Sequence, residues 1–240
     1  MMEKAKKIKL FIGLFYLLLV VLFLYFLFSK FSFQEVTSYD FIKNNRNYFF
    51  KLKETNLFLL ALLFFIFTII WVLAAGFGSP VAIFAGFIFG KWIGVLIVVF
   101  GLSIGAILLY IFANYFLKNI IREKFLNKYQ NLEIKFKKSE FFYLLLYRFI
   151  GGIPFAISNV LPCIFNVKIS NFFFATLIGI TPQLFLVCSL GSGLEKIIDQ
   201  NLETPNLVQL ISSPDIYIPL VIFMCLVIIT FFLKKILYKN

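Results

Sequence analysis

Histidine is absent from the 240 residues, and acidic side chains are scarce, with 11 Asp and Glu against 23 Lys and Arg. Without histidine there are no histidine-based metal sites or triads, and no acid lies in an apolar segment to activate a serine such as Ser79, Ser103 or Ser158. The three cysteines lie far apart and show neither a disulfide framework nor a metal-ligand spacing. We therefore predict no enzymatic activity, no metal and no cofactor.

Charge is sparse overall: only 14% of the residues are charged, 62% are hydrophobic, and the mean hydropathy is +0.97. Because several apolar segments are long enough to cross a bilayer, the composition predicts an integral membrane protein. The net charge of +12 comes from Lys and Arg in short connecting segments, which favours anionic lipid surfaces over nucleic acid as the partner.

Three parts follow from the pattern: an N-terminal membrane helix with an interfacial segment (1–56), a core (57–195), and a loop with a C-terminal membrane helix (196–240). The uncharged segment 10–28 is either a membrane helix or an uncleaved signal anchor. Aromatic and basic residues interleave within 39–53, as in a helix lying on the membrane surface, although a solvated loop is the alternative. The other predicted spanning segments are 57–74, 92–117, one that begins at Phe172, and 216–233.

Glycine and proline interrupt the core at two places, near 76–91 and 141–165. Backbone groups that such breaks expose survive in a bilayer only where protein or a wet cavity satisfies them. We therefore predict two re-entrant helical hairpins. We also expect Gly179 and Pro182 to interrupt the apolar segment that follows the second hairpin. The residues assigned to this architecture are Gly78, Pro80, Gly105, Gly152, Pro154, Pro162, Gly179 and Pro182.

An internal repeat supports the two hairpins. With an offset of 74 residues, Gly78 aligns with Gly152, Pro80 with Pro154, and Gly105 with Gly179. Each repeat unit would be a hairpin plus one spanning helix. Two units that are separated by an odd number of membrane crossings are inverted, as is common in secondary transporters. The predicted fold is an all-α polytopic membrane protein with two inverted re-entrant hairpins flanked by spanning helices. The distribution of Lys and Arg leaves the side of the N-terminus undecided.

Arg148 is the only arginine within an apolar segment, where a buried guanidinium is costly and usually has a partner. It is either functional or anchored at the membrane interface. Arginine binds phosphate bidentately, and half-helix N-termini after Pro80 and Pro154 would add positive dipole ends, so an anionic headgroup is favoured. The other candidate binding residues, each with a structural alternative, are Asn159, Thr176 and Gln183.

The pattern Arg148-x5-Pro154-Phe155-x3-Asn159-x2-Pro162, with Gly101-x3-Gly105-Ala106 upstream, resembles the DedA superfamily. It is most similar to the SNARE-associated Golgi or Tvp-type branch, which is defined by the VTT domain. The resemblance spans about residues 76–195. It implies facing re-entrant hairpins, a multi-pass protein of the bacterial inner membrane, and lipid or lipid-phosphate movement between leaflets in support of envelope homeostasis.

Two departures from the family pattern bear on mechanism. The acidic residues that DedA proteins carry around the first hairpin are absent, and so is the second family arginine after Pro154, which argues against proton-driven transport. Three hypotheses stay open: a translocator or scramblase of lipids, a transporter of small solutes or ions, and a non-transporting membrane assembly factor. The sequence names neither the lipid, the energy source, the direction nor the oligomeric state.

Overall fold

The computed structural model describes the backbone of residues 2–30 and 39–199 and separate residues between 212 and 228, with side chains chiefly for 11–26, 45–116 and 136–199. Every regular element in these ranges is helical, which confirms the all-α prediction. Most of the predicted loop 194–215 lies outside the described residues, and the described residues of the last predicted span, 216–222, 224, 225 and 228, are helical. The helices are α1 Met2–Lys30, α2 Tyr39–Thr55, α3 Leu57–Leu73, α4 Gly78–Lys138, α5 Glu140–Ile150, α6 Phe155–Val160, a short 3₁₀ helix Leu161–Ile164, and α7 Ile169–Asp199.

Two described helical segments, Gly78–Phe116 of α4 and Ile169–Asp199, are long and apolar enough to cross a membrane. A third candidate arises if the bent pair Asn45–Thr55 and Leu57–Leu73 is counted as one span. The predicted first span is also helical, and its apolar part Phe11–Phe26 is the shorter described stretch. These lengths fit a membrane protein, since hydrocarbon about 30 Å thick needs about 20 apolar residues.

Helix α4 turns back on itself at Gly90, where φ is +78°. This conformation favours glycine, which has no Cβ to collide with the backbone. A Cβ on Gly94 would lie 2.7 Å from the backbone oxygen of Ala85, and one on Gly78 would lie 3.1 Å from the side chain of Leu102. In a straight helix nine residues rise about 13 Å. Residues 78–89 and 91–116 are therefore two antiparallel arms.

Helix α3 packs alongside the second of these arms. A Cβ on Gly101 would lie 2.9 Å from Thr68, and one on Gly105 would lie 2.7 Å from Val72. Glycines at these positions let the helices approach closely, as in other membrane helix pairs. Helix α3 and the arm 78–89 thus form a first hairpin, residues 57–89, whose tip is 74–77.

Segment 57–74 is helical, as α3, and its crossing of the membrane stays a prediction. The first hairpin corrects the neighbouring prediction, in which 76–91 was expected to be a hairpin by itself. Instead α3, with 17 residues, is the inbound arm, and 78–89 is the return arm. At the tip, Ala75 has φ +62° and the indole nitrogen of Trp71 donates to the Phe77 carbonyl at 2.7 Å. Hydropathy does not show which apolar segments pair with each other, so it did not identify α3 as the first arm of this hairpin.

A second hairpin occupies the predicted region. Its arms are α5 on one side and α6 with the 3₁₀ helix on the other, and Gly151 and Gly152, with φ of +68° and +84°, make the tip. Glu140 holds the base closed by accepting from the Lys168 backbone nitrogen at 2.8 Å and from the Asn171 amide at 3.0 Å. The chain therefore enters and leaves this hairpin at the same end of the bundle.

Helix α7 corrects the expected break at Gly179 and Pro182, because it is continuous through both residues. Proline inside a helix removes one N–H donor, and next to it the Thr181 hydroxyl donates to the Leu177 carbonyl at 2.6 Å. Gly179 serves packing instead: a Cβ there would lie 2.5 Å from the Cβ of Arg148. Small size, and not chain breaking, is what this position requires.

The two units run in opposite directions. Residues 91–116 of α4 form the long arm. Gly78 lies between Leu102 of the long arm and Leu184 of α7. Farther along the long arm, Tyr110 stacks on Phe172 of α7 with ring centroids 5.0 Å apart. Because the residue numbers of these contacts increase along the long arm and decrease along α7, the two helices are antiparallel. Each unit is a hairpin followed by a long apolar helix, and the two hairpins have their bases at opposite ends.

Helix α2 is present where the sequence predicted either a surface helix or a loop, and it meets α3 at an angle of 115°. Its Arg46 forms ion pairs of 2.7 Å with Glu195 and 2.6 Å with Asp199 at the end of α7. Helix α1 packs against both α3 and α4, since Tyr16 lies on Phe112 with centroids 4.2 Å apart and donates to the Leu73 carbonyl.

Candidate functional site

A cavity of about 430 Å³ lies where the two hairpin tips meet. The first tip and the start of α4 contribute Phe77, Gly78 and Ser79. The second tip and the start of α6 contribute residues 151–155, and α7 supplies one wall between Ile180 and Val187. Because the tips come from hairpins with bases at opposite ends, the cavity lies near the middle of α7. The space is enclosed by the two tips and α7.

The second tip is held open by Gln183. Its amide nitrogen donates to the Phe149 carbonyl at 2.7 Å and to the Arg148 carbonyl at 3.3 Å. The last carbonyls of a helix lack partners within the helix, so Gln183 satisfies the end of α5 while lining the cavity. The left-handed glycines then turn the chain, and Pro154 precedes the first residue of α6.

Arg148 projects from the last turn of α5 into the space between the second hairpin and α7, and it is only 4% exposed. Its Nε donates to the Thr176 hydroxyl at 3.1 Å, and its two terminal nitrogens donate to the Ser158 hydroxyl and the Asn159 carbonyl oxygen, each at 2.5 Å. The rings of Phe155 and Phe172 lie 5.3 and 5.0 Å from the guanidinium carbon. These contacts fix the guanidinium in one orientation beside the cavity.

The described acceptors of the guanidinium are all neutral. Within the part of the chain whose side chains are described, ion pairs form at Arg46 and none involves Arg148. Arginine stays protonated in proteins, and a buried positive charge usually faces a compensating negative one. The charge of Arg148 therefore borders the cavity without a carboxylate to neutralise it.

The first tip adds an uncapped helix N-terminus. Helix α4 begins at Gly78, on the cavity lining, and Phe77 before it offers no side-chain acceptor to the first N–H groups. The first turn of a helix carries partial positive charge. Pro80 lies in this turn, where the missing N–H costs nothing. Both tips thus make the cavity electropositive.

Arg148 is buried inside the bundle. Thr176 and Asn159 are bonded to its guanidinium but lie behind it, since neither lines the cavity, whereas Gln183 does. The amide nitrogen of Asn159 is buried without a hydrogen-bond partner. Sequence reasoning missed Ser158 as a contact of Arg148; the signal was its position beside Asn159 in the short helix that follows Pro154.

The proline and glycine assignments divide between tip and packing roles. Gly152 and Pro154 shape the second tip, and Pro162 lies in the buried 3₁₀ helix. Gly105 and Gly179, which the 74-residue offset aligns, both occupy helix contacts that a side chain would obstruct.

Two oppositely directed units, each a helical hairpin joined to a long apolar helix, define a helical membrane protein. Residues 77–193 match the family model of the VTT domain, so the chain contains a VTT domain. The resemblance inferred from the sequence is thereby confirmed, and the matched segment begins at the first tip and ends within α7.

Two known proteins are similar to this chain in sequence. The chain is 35% identical over 115 residues to "Uncharacterized protein YqeD" of Bacillus subtilis, which covers 47% of this chain and 55% of the relative. It is 25% identical over 136 residues to "Transmembrane protein 41 homolog" of Caenorhabditis elegans, covering 54% of this chain and 55% of that protein. The chain thus spans about half the length of each. No solved structure is significantly similar to it.

Proposed function

We propose that the protein moves an amphiphile with an anionic, phosphate-bearing headgroup between the leaflets of a membrane, without covalent chemistry. The observation that carries this proposal is the buried guanidinium of Arg148, which borders the cavity without a carboxylate partner. A phosphate group would supply the missing negative charge, and arginine binds phosphate through paired hydrogen bonds.

In this proposal the two hairpins are re-entrant. Each begins and ends on one side of the bilayer, so that the tips meet near its midplane and the long helices cross. Hairpin arms such as 78–89 rise only about 18 Å at 1.5 Å per residue, short of a hydrocarbon layer about 30 Å thick. Dead-end arms of this kind leave the headgroup a polar resting place halfway between the leaflets.

The absence of catalysis, the bacterial inner membrane as location and a role in envelope homeostasis are parts of the same proposal. Membership of the VTT-domain proteins and the relative in Bacillus subtilis are compatible with them. No described contact favours a small-solute transporter or an assembly factor over lipid movement.

The test is movement of fluorescent phosphatidylglycerol in reconstituted vesicles, measured by quenching the label in the outer leaflet with dithionite. The native protein should let the inner-leaflet label become quenched, and Arg148→Ala should reduce that rate at least about tenfold, equivalent to about 1.4 kcal/mol in the barrier. Arg148→Lys should recover part of the rate, because the charge remains while the paired donors are lost.

A matched control is Arg46→Gln, which removes a described arginine outside the cavity and should leave the rate unchanged. Elution of each variant as one folded species in size-exclusion chromatography excludes misfolding. If Arg148→Ala moves the lipid as fast as the native protein, the guanidinium takes no part in transport and the proposal fails.

A further inference from the structure

The cavity lies near the middle of α7. It borders Gln183, which at 1.5 Å per residue is about 21 Å from one end of α7 and about 24 Å from the other. If α7 crosses a hydrocarbon layer about 30 Å thick, the cavity is close to its midplane. Any direct entrance at this depth faces acyl chains.

The routes along the bundle axis are filled by two apolar clusters. On one side of the cavity, the first hairpin packs through residues such as Val81, Val98 and Cys188, all of them buried. On the other side, Tyr110 and Phe172 belong to a second buried cluster. Headgroup-sized passages toward either end of α7 would have to run through these cores.

The side of the cavity, in contrast, is exposed. Ser79 and Pro154 are exposed, and Phe77 and Ile153 are 61% and 40% exposed, although all four residues line the cavity. Two of the four are large apolar side chains, which is typical of a surface in contact with hydrocarbon. The opening between the tips therefore runs sideways out of the bundle.

We propose that this lateral opening is the entrance for substrate, an inference that rests on the proposed function and narrows it. The substrate is a lipid whose anionic headgroup turns inward to Arg148 while its acyl chains stay in the bilayer beside Phe77 and Ile153. A water-soluble anion has no such route. The occupant is thus defined as a phospholipid or another lipid phosphate, and free phosphate is excluded.

The position of the opening is tested without measuring transport. Single nitroxide labels are attached at Ser79→Cys and Ile153→Cys, with Cys225 replaced by Ser, in vesicles of phosphatidylcholine and phosphatidylglycerol. Reference labels are Ile178→Cys, which is 52% exposed on α7 at similar depth, and Lys51→Cys on α2. Collision with oxygen reports hydrocarbon, and collision with a neutral nickel chelate reports water.

Labels at 79 and 153 should resemble the label at 178, with high oxygen and low nickel collision rates. Nickel collision as frequent as at Lys51 would mean a water-filled entrance and would overturn the inference. This readout stands even if Arg148→Ala leaves lipid movement unchanged, so a failure of the proposed function is distinguishable from a failure of the lateral opening.

The occupant is tested with the same labels. Adding phosphatidylglycerol to pure phosphatidylcholine vesicles should slow the rotational motion of the nitroxide label at residue 153. This effect should disappear in Arg148→Ala. Slowing by inorganic phosphate alone would identify a water-soluble ligand and overturn the lipid assignment.

In the transport assay, Ser79→Trp should lower the rate of lipid movement severalfold, while Ile178→Trp should not. Equal rates for the two variants would contradict entry between the tips.

Discussion

The two hairpins share a backbone plan but differ in chemistry. The offset of 74 residues that aligns Pro80 with Pro154 places Arg148 on Ala74, Asn159 on Ala85 and Thr176 on Leu102. The first hairpin therefore presents a helix N-terminus and apolar side chains, whereas the second holds a guanidinium and its acceptors. The two units enclose one cavity, and the buried guanidinium with its acceptors lies in only one of them.

This difference assigns separate tasks to the halves. The first hairpin is held against α7 by backbone proximity, because a Cβ on Gly86 would lie 2.0 Å from the Cys188 carbonyl oxygen and one on Gly191 would lie 2.0 Å from that of Ile83. The second hairpin is held by polar contacts at its base and around Arg148. We expect substitutions in the first to disturb the scaffold, and those in the second to disturb binding.

The largest effect is expected at Gly86. Gly86→Val should destabilise the protein by about 3 kcal/mol, because the new side chain meets main-chain atoms of α7 that cannot rotate away. Thermal unfolding in detergent, followed by the amount that still elutes as monodisperse protein, measures it. Gly13→Ala is the control, since its Cβ would lie 3.7 Å from the nearest atom; equal losses in both variants would refute the close contact.

Gly179 and Gly105 offer a comparison across the repeat. Alanine at either position should cost about 1–3 kcal/mol, because its Cβ would lie 2.5 Å from the Arg148 Cβ or 2.7 Å from that of Val72. Only Gly179→Ala should also slow lipid movement beyond its effect on folded yield, since it displaces the guanidinium. The measurement is the rate of lipid movement per amount of folded protein in each variant. Equal rates in Gly179→Ala and Gly105→Ala would contradict a functional difference between the two halves.

Asn159→Asp should separate stability from function. Its carboxylate would lie where the amide oxygen already contacts Arg148 at 2.5 Å, so it would neutralise the guanidinium from within. We expect lipid movement to fall about tenfold while thermal stability is kept or raised. Asn159→Leu should instead lower stability, because a buried donor loses its acceptor. Unimpaired movement in Asn159→Asp would show that the positive charge is not needed.

The smallest effect is expected at the ion pairs of α2. Arg46→Gln should cost about 0.2–1 kcal/mol, since Arg46 and its partners are partly exposed to solvent. The loss should shrink in high salt, because the interaction is screened. Lys51→Gln serves as control, and unfolding temperatures at low and high salt compare the two. A salt-independent loss would point to lost packing of Arg46 on the Phe50 ring, 4.5 Å away.

Element boundaries show where sequence reasoning succeeded and where it did not. Gly151, Gly152 and Pro154 marked the second tip correctly, because left-handed glycines followed by proline cannot continue a helix. The first hairpin was predicted near 76–91, although Gly90 is the turn between that hairpin and the long arm. Gly179 and Pro182 were read as breaks, yet α7 continues through both. A glycine that ends a helix and one that admits a neighbour look the same in a sequence.

The candidate site was partly predictable for a similar reason. An arginine among apolar residues stands out, so Arg148 was found, and its neighbours Asn159 and Thr176 were named as polar residues in apolar surroundings. Their shared role as acceptors for one guanidinium depends on contacts 11 and 28 residues apart in sequence, as does that of Ser158. Periodicity within one helix does not report such contacts.

The amino-acid sequence by itself determined that this chain is a helical membrane protein, because hydropathy and helix-breaking residues are local properties, and its motifs carried the resemblance to the VTT-domain family. Tertiary structure decided which half-length segments pair as hairpins, which glycines admit a neighbouring helix, and that both tips enclose one cavity beside an unneutralised arginine. These features depend on distances between segments that are remote along the chain, and only the packed bundle fixes those distances.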